Sequence, residues 1–182
     1  MVKVITLQTV LSSSMCVALC MTFNTSANEL CANDESSSII ATTPSSDFID
    51  NNNGTVTHNT TGLIWQRCSL GQTWDGSTCI GSATNYHWQT ALQQAAENDF
   101  LGLNDWRLPN INELASIVER RCWDPAINNQ QFPNTGSRWY WSSSSVADFG
   151  ASAWVVNFFE GNISDLSKTD SDNYVRLVRA GK

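Results

Sequence analysis

Asp105-Trp106-Arg107-Leu108-Pro109-Asn110-Ile111-Asn112-Glu113-Leu114 constrains the fold more tightly than any other stretch of the chain. Pro109 has no backbone N–H to donate, Asn110 can accept from the first helical turn, and Glu113 can reach back to the cap. Together they form the sequence signature of a capping box. A helix therefore begins here. Leu114, Ile117 and Val118 give it an apolar face, and Arg120 and Arg121 stand where positive charge suits a helix C-terminus, so the pattern predicts a helix from about Ile111 to Arg121. Trp106 and Leu108 seat the turn that leads into it.

An earlier helix is predicted over Trp88 to Asn98, where Trp88, Ala91, Leu92, Ala95 and Ala96 recur at helical spacing and Gln89, Gln93, Gln94 and Glu97 stay wet. Before it, Asp50-Asn51-Asn52-Asn53-Gly54 reads as a turn between strands, with Thr55-Val56-Thr57 and Leu63-Ile64-Trp65 as strand cores. The segment that follows, through Gly81, is loop-rich. The last third reads as β-structure at Trp139 to Ser143, Ala153 to Phe159 and Tyr174 to Arg179, with Gly161-Asn162 as a turn. Both faces of the 153–159 run are apolar, which marks a central strand. Strands, two helices, then strands make an α+β arrangement with long connections. No repeat with a period of about 20–50 residues is present, which argues against solenoids and propellers.

Val4 to Phe23 is mostly apolar behind the single charge of Lys3, and Thr25-Ser26-Ala27 suits a signal peptidase, so residues 1–27 read as a signal peptide. Serines 12 to 14 interrupt the stretch, which argues against a retained membrane span. Leu19 is too large for the position before a lipidated Cys20, which disfavours a lipid anchor there. Residues 28–46 are rich in Ser, Thr, Asn and Ala and form a flexible arm that only Cys31 would anchor; residues 47–182 form one domain. Cleavage after Ala27 leaves Cys31, Cys68, Cys79 and Cys122, an even set suited to an oxidising compartment. Three pairings are open. The short Gly/Ser/Thr-rich segment between Cys68 and Cys79 needs a staple, which leaves Cys31 for Cys122. No C-x-x-C pair supports a zinc site. The net charge of −7 becomes about −8 once Lys3 is removed. With one adjacent basic pair, Arg120-Arg121, the chain lacks the clustered cations that nucleic acid requires. Sulfated polysaccharides meet the same long-range repulsion.

Several ordered motifs carry a resemblance: the decapeptide above, Gly54-Thr55-Val56-Thr57, Thr61-Gly62-Leu63-Ile64-Trp65-Gln66, Phe132-Pro133-Asn134, Tyr140-Trp141-Ser142-Ser143, and Tyr174-Val175-Arg176-Leu177-Val178-Arg179. Across residues 47 to 180 the chain resembles the Lcl C-terminal domain family. The same order is similar to the wider C-type-lectin-like and sulfatase-modifying-factor folds. The resemblance implies a C-type-lectin-like α+β fold, with two helices packed on short antiparallel strands, long loops and disulfide staples. The Glu-Pro-Asn and Trp-Asn-Asp motifs that hold calcium and sugar in many C-type lectins are missing, as is a closely placed free cysteine pair. His58 stands where the family places an acidic or Asn side chain.

Aromatic rings hold sugars by stacking while nearby amides bond the hydroxyls, and eight tryptophans are available here. Trp65, Trp106 and Trp154 read as structural. Consecutive residues on a strand point to opposite faces, so Trp139-Tyr140-Trp141 should present at least one ring outward unless both sides are covered. Trp139, Tyr140 and Trp141, with polar contacts from Asn134, Arg138, Ser142 and Ser143, form the candidate ligand surface. Arg107, Arg176 and Arg179 read as bridges to buried carbonyls or to an acid such as Glu113. His58 and His87 lack a catalytic partner, and Ser142 to Ser145 lack a nucleophile elbow. The Asp50 to Asn53 oxygens fit a hairpin turn better than a calcium loop. No catalytic residue, metal site or cofactor follows from these residues.

The expected function is that of an exported, non-catalytic binding module in the periplasm, at the outer surface or outside the cell. It would recognise carbohydrate or a cell-surface polymer, in keeping with the adhesin that gives the family its name. The alternative is a structural or protein-interaction subunit of an envelope assembly, its outward aromatics forming the interface. A secreted enzyme comes third.

Overall fold

The computed structural model describes residues 30–36, 38–170 and 172–181. The predicted signal peptide and Cys20 lie outside the described residues. In chain order the strands and helices are β1 (Asp34–Glu35), β2 (Phe48–Asp50), β3 (Thr55–His58), β4 (Leu63–Gln66), β5 (Thr73–Trp74), β6 (Cys79–Ile80) and α1 (Trp88–Ala96). They continue as α2 (Ile111–Ala115), β7 (Cys122–Trp123), β8 (Trp139–Ser145), β9 (Ser152–Asn157), β10 (Asn162–Ser167) and β11 (Val178–Ala180). The α+β arrangement read from the sequence is present.

One antiparallel sheet has the order β11-β4-β3-β2 and another β10-β9-β8, with the small pairs β5-β6 and β1-β7 beside them. The 50–54 turn joins β2 to β3, placing Asp50 opposite Val56. Strand β9 is central in its sheet and has a core on each side. Val156, with Phe158 just beyond the strand, packs with Trp65, Leu114, Phe132 and Tyr140; Ala153 and Val155 pack with Ala91, Trp106, Trp141 and Leu177. Apolar residues on both faces of a strand need two covered faces, and here they have them.

Helix α2, five residues long, is less than half the predicted length. The capping box forms as expected, with Glu113 N–H donating to Asn110 Oδ1 at 2.9 Å and Asn110 N–H donating to Glu113 Oε2 at 2.8 Å. Beyond Ala115 the chain leaves the helix because other partners take its backbone. Ser116 Oγ donates to Glu113 O at 2.7 Å, Val118 bridges to Ile127, and Glu119 N–H donates to Ala126 O at 3.1 Å. Arg120 and Arg121 therefore do not sit at a helix end; Arg121 pairs with Glu35 instead.

The predicted 174–179 strand also resolves differently. Its first part lies parallel to β8, with Tyr174 N–H donating to Trp139 O and Trp141 N–H donating to Tyr174 O; Leu177 O then accepts from Gln66 N–H at 3.1 Å, and Val178–Ala180 pairs with β4. One extended segment thus belongs to both sheets and seams them together.

The N-terminal segment is docked along the domain and held by more than Cys31. The Glu119 carboxylate, fully buried, accepts from Thr42 N–H (2.9 Å), Thr43 N–H (2.7 Å), both threonine hydroxyls and Arg121 N–H (2.9 Å). Asn128 Nδ2 donates to Thr43 O at 3.0 Å, and β1 pairs with β7. The polar composition that reads as a loose arm supplies these bonds. Cys31–Cys122 and Cys68–Cys79 are both disulfides, which points to an oxidising, exported environment. No helix among the described residues is long and apolar enough to cross a membrane.

Candidate functional site

Strand β8 divides the candidate ligand surface between interior and exterior. Tyr140 and Trp141 point to opposite faces, and each face is a core, so both rings are fully buried. Tyr140 Oη lies 2.8 Å from Ser69 Oγ, and Trp141 Nε1 donates to Tyr86 O at 2.8 Å. These two residues are core, a correction to the sequence expectation that follows from the second covered face. Ser142 is buried, its hydroxyl donating to Trp154 O at 2.7 Å, and Ser143 bonds Pro109 O at 3.3 Å. Trp139 is half-buried in a shallow depression with Leu166, Thr169, Asp170, Asp172 and Asn173, which neither Arg138 nor Asn134 lines. Arg138 is exposed. Asn134 acts elsewhere: its Nδ2 donates to Cys79 O at 2.6 Å and its backbone carbonyl accepts from Gln72 Nε2 at 3.0 Å, clipping the disulfide loop to the domain.

The arginines behave as the sequence predicts. Arg107 makes a bidentate pair with Glu113 at 2.7 and 2.8 Å, and Arg179 one with Asp105 at 2.8 Å on each branch. Arg107 holds the Glu113 carboxyl below the usual carboxylate range; burial opposes this, and the Asn110 N–H reinforces it. Arg176 is fully buried, donating to the carbonyls of Gln66 and Arg67 and to the hydroxyls of Ser69 and Thr135, with its guanidinium 4.8 Å from the Phe132 ring centroid. Burial pushes its pKa down, partly offset by Tyr140. His58 is buried and stacked on Phe48 at 4.8 Å. His87 precedes α1 without a side-chain capping bond.

A further concavity lies over the disulfide loop. A cleft of 320 Å³ is lined by Gly54, Gln66, Cys68, Ser69, Leu70, Gly71, Gln72, Thr73, Trp74, Asn98 and Phe100, with no charged side chain among them. Three local features fix its aromatic wall. Cys68–Cys79 closes the loop around the β5-β6 hairpin, and at the hairpin's tip Asp75 Oδ1 accepts from Ser77 N–H and Thr78 N–H, both at 2.8 Å. Those bonds, Thr78 first, hold the Asp75 pKa below its ordinary value. The Arg67 guanidinium, paired to Asp50 at 2.7 Å, stands 4.4 Å from the Trp74 ring centroid. Gly54, at φ 85°, brings its backbone so close that a Cβ there would stand 3.0 Å from the indole Cγ and Cδ1.

In the same cleft, Gln66 Nε2 donates to Asn98 Oδ1 at 2.8 Å. That bond uses one amide atom of each residue and leaves Gln66 Oε1 and Asn98 Nδ2 out of it. An aromatic ring, a second ring from Phe100 and two oriented amides in an uncharged cleft suit a ligand with apolar ring faces and many hydroxyls. Sequence reasoning passed over this site because Trp74 stands in a segment without periodicity. The available signal was an aromatic residue inside a disulfide-closed loop of small polar residues.

A family model for the Lcl C-terminal domain matches residues 54–179, a span that includes every residue of the Trp74 cleft and the seam segment up to Arg179. No curated protein matches the chain. The chain belongs to the Lcl C-terminal domain family.

Proposed function

We propose that this chain is an exported, non-catalytic binding module that recognises carbohydrate, or a hydroxyl-rich cell-surface polymer, through the Trp74 cleft. The observation that carries the reading is the meeting of Trp74 and Phe100 with the Gln66 and Asn98 amides in one cleft without charged lining. The net charge of −7 disfavours polyanions at long range, so the preferred ligand is neutral. The C-type-lectin-like fold belongs to the same proposal, supported by the Trp-Arg-Leu-Pro turn that opens α2 and by the Arg-containing terminal segment.

A glycan array probed with the mature protein, with and without calcium, tests it. Binding to neutral glycans that weakens at least about tenfold in Trp74→Ala, while Trp139→Ala binds as before, is the expected result. Silence in both conditions sinks the reading. A second reading, a protein-interaction subunit, is favoured by one observation: Trp123 and Phe159 are 43% and 42% exposed beside Arg120 and Glu160 in a shared depression. Self-association or partner binding lost in Trp123→Ala, with the array negative, would select it.

A further inference from the structure

The Trp74 cleft has an immediate neighbour. A second depression of 270 Å³ is lined in part by Asn53, Thr55, Leu101, Leu103, Trp106 and Arg179. The same two chain segments wall both: Gly54 and Phe100 face the first, while the residues next to them, Asn53, Thr55 and Leu101, face the second. Consecutive Cα atoms are about 3.8 Å apart, so the depressions lie side by side with these segments as the ridge between them.

Leu101 on that ridge is unusual in two respects. Its backbone is left-handed, at φ 61° and ψ 22°, a region that L-residues other than Gly, Asn and Asp seldom occupy. The residue is also 48% exposed. The fold holds it there. Gly102 N–H donates to Asp99 O at 2.7 Å, and Trp106 Nε1 donates to Phe100 O at 2.9 Å, tying the turn to a buried ring. Strained conformations persist where the surroundings over-determine them, and they gather at ligand clamps. An exposed apolar side chain held in such a backbone has the properties of a contact surface.

The second depression shares the chemistry of the first. Arg179 is its one cation, and its bidentate bond to Asp105 neutralises it locally. Asn53 Oδ1 accepts from Thr55 N–H and Oγ, so the Asn53 Nδ2 is not engaged by those bonds. Each depression is near the lower limit of about 300 Å³ for small-molecule pockets, so either alone holds a short piece of ligand. Two adjacent weak sites gain when one molecule spans both, because the second contact is then intramolecular.

We propose, resting on the carbohydrate reading above, that the two depressions are consecutive subsites for one linear, uncharged glycan chain, with Leu101 packing against the ring that crosses the ridge. The chain runs from the Trp74 side to the Trp106 side. Isothermal titration with β-1,4-linked glucose and β-1,4-linked N-acetylglucosamine oligomers, monomer through hexamer, tests it. Affinity in a series that binds should rise about tenfold or more from monomer to trimer and then level off. Leu101→Gly removes the side chain and relaxes the backbone, so it should flatten that rise without lowering the unfolding midpoint. Monomer binding with no dependence on length overturns the two-subsite proposal and leaves the carbohydrate reading standing. A length dependence unchanged in Leu101→Gly also overturns it. No binding by any member of either series, together with a silent glycan array, overturns both.

Discussion

Replacing Glu119 by Ala should cost more than any surface substitution, because one buried carboxylate satisfies the backbone of two segments. It accepts five hydrogen bonds, from Thr42 N–H and Oγ, Thr43 N–H and Oγ, and Arg121 N–H. Thr42 is exposed and Arg121 half-exposed, so their amides can turn to water. Thr43 is only 4% exposed, and its amide has the shortest of the five bonds, 2.7 Å. Stranding that amide costs about 1–3 kcal/mol, and the remaining bonds to a charged acceptor add ~1 kcal/mol or more in net terms. Glu119→Ala should therefore lose about 2–4 kcal/mol, a large share of the roughly 5–15 kcal/mol that holds a domain of this kind together. The damage should centre on residues 38–46. Urea unfolding with both disulfides intact measures the total, and limited proteolysis locates it. A nick in that segment stays covalently joined through Cys31–Cys122, so the fragments should separate on a gel only after reduction. A Glu119→Ala protein within about 0.5 kcal/mol of the parent, the range of neutral surface changes, and no easier to nick would refute the reasoning.

Asn110→Ala removes one half of the capping box and should lower stability by about 1 kcal/mol, with Asn110→Ser recovering most of it; an unchanged urea midpoint in the Ala variant would contradict the cap assignment. His58 gives a pH dependence. Burial lowers its pKa from the ordinary 6.5, with Asp47 opposing, so the unfolded chain takes up the proton first and stability falls as pH drops below 6.5 toward the folded value. His58→Gln should flatten that part of the profile, and a ring that titrates above 6.5 by NMR would show the sign to be wrong.

Elements with a local cause were legible in the sequence. The capping box at Asn110 and Glu113 and the 50–54 turn follow from side chains acting within a few residues of themselves, and the centrality of β9 and the short disulfide from the composition of a single short segment. Features that depend on distant partners were not. The predicted α2 runs on to Arg121 by periodicity, yet Ile127 and Ala126 claim the backbone of Val118 and Glu119. The Ser/Thr-rich arm looks unstructured until Glu119 is known to be buried against it. Trp141 looks like a ligand contact until the sheet is seen to be covered on both faces. Trp74 escaped for the same reason: its position depends on Gly54 and Arg67, which approach it from outside its own hairpin.

The extended segment shared by both sheets governs the order of assembly. Its residues pair with β8 at Tyr174 and with β4 from Val178, and they follow every other described element along the chain. Val175 and Leu177 belong to one core and Val178 to the other. Neither core can therefore close until this segment has been synthesised, and contacts of such long sequence separation form slowly. Delayed closure suits the oxidising environment to which the two disulfides point, because Cys31 and Cys122, 91 residues apart, pair across a fold that completes late.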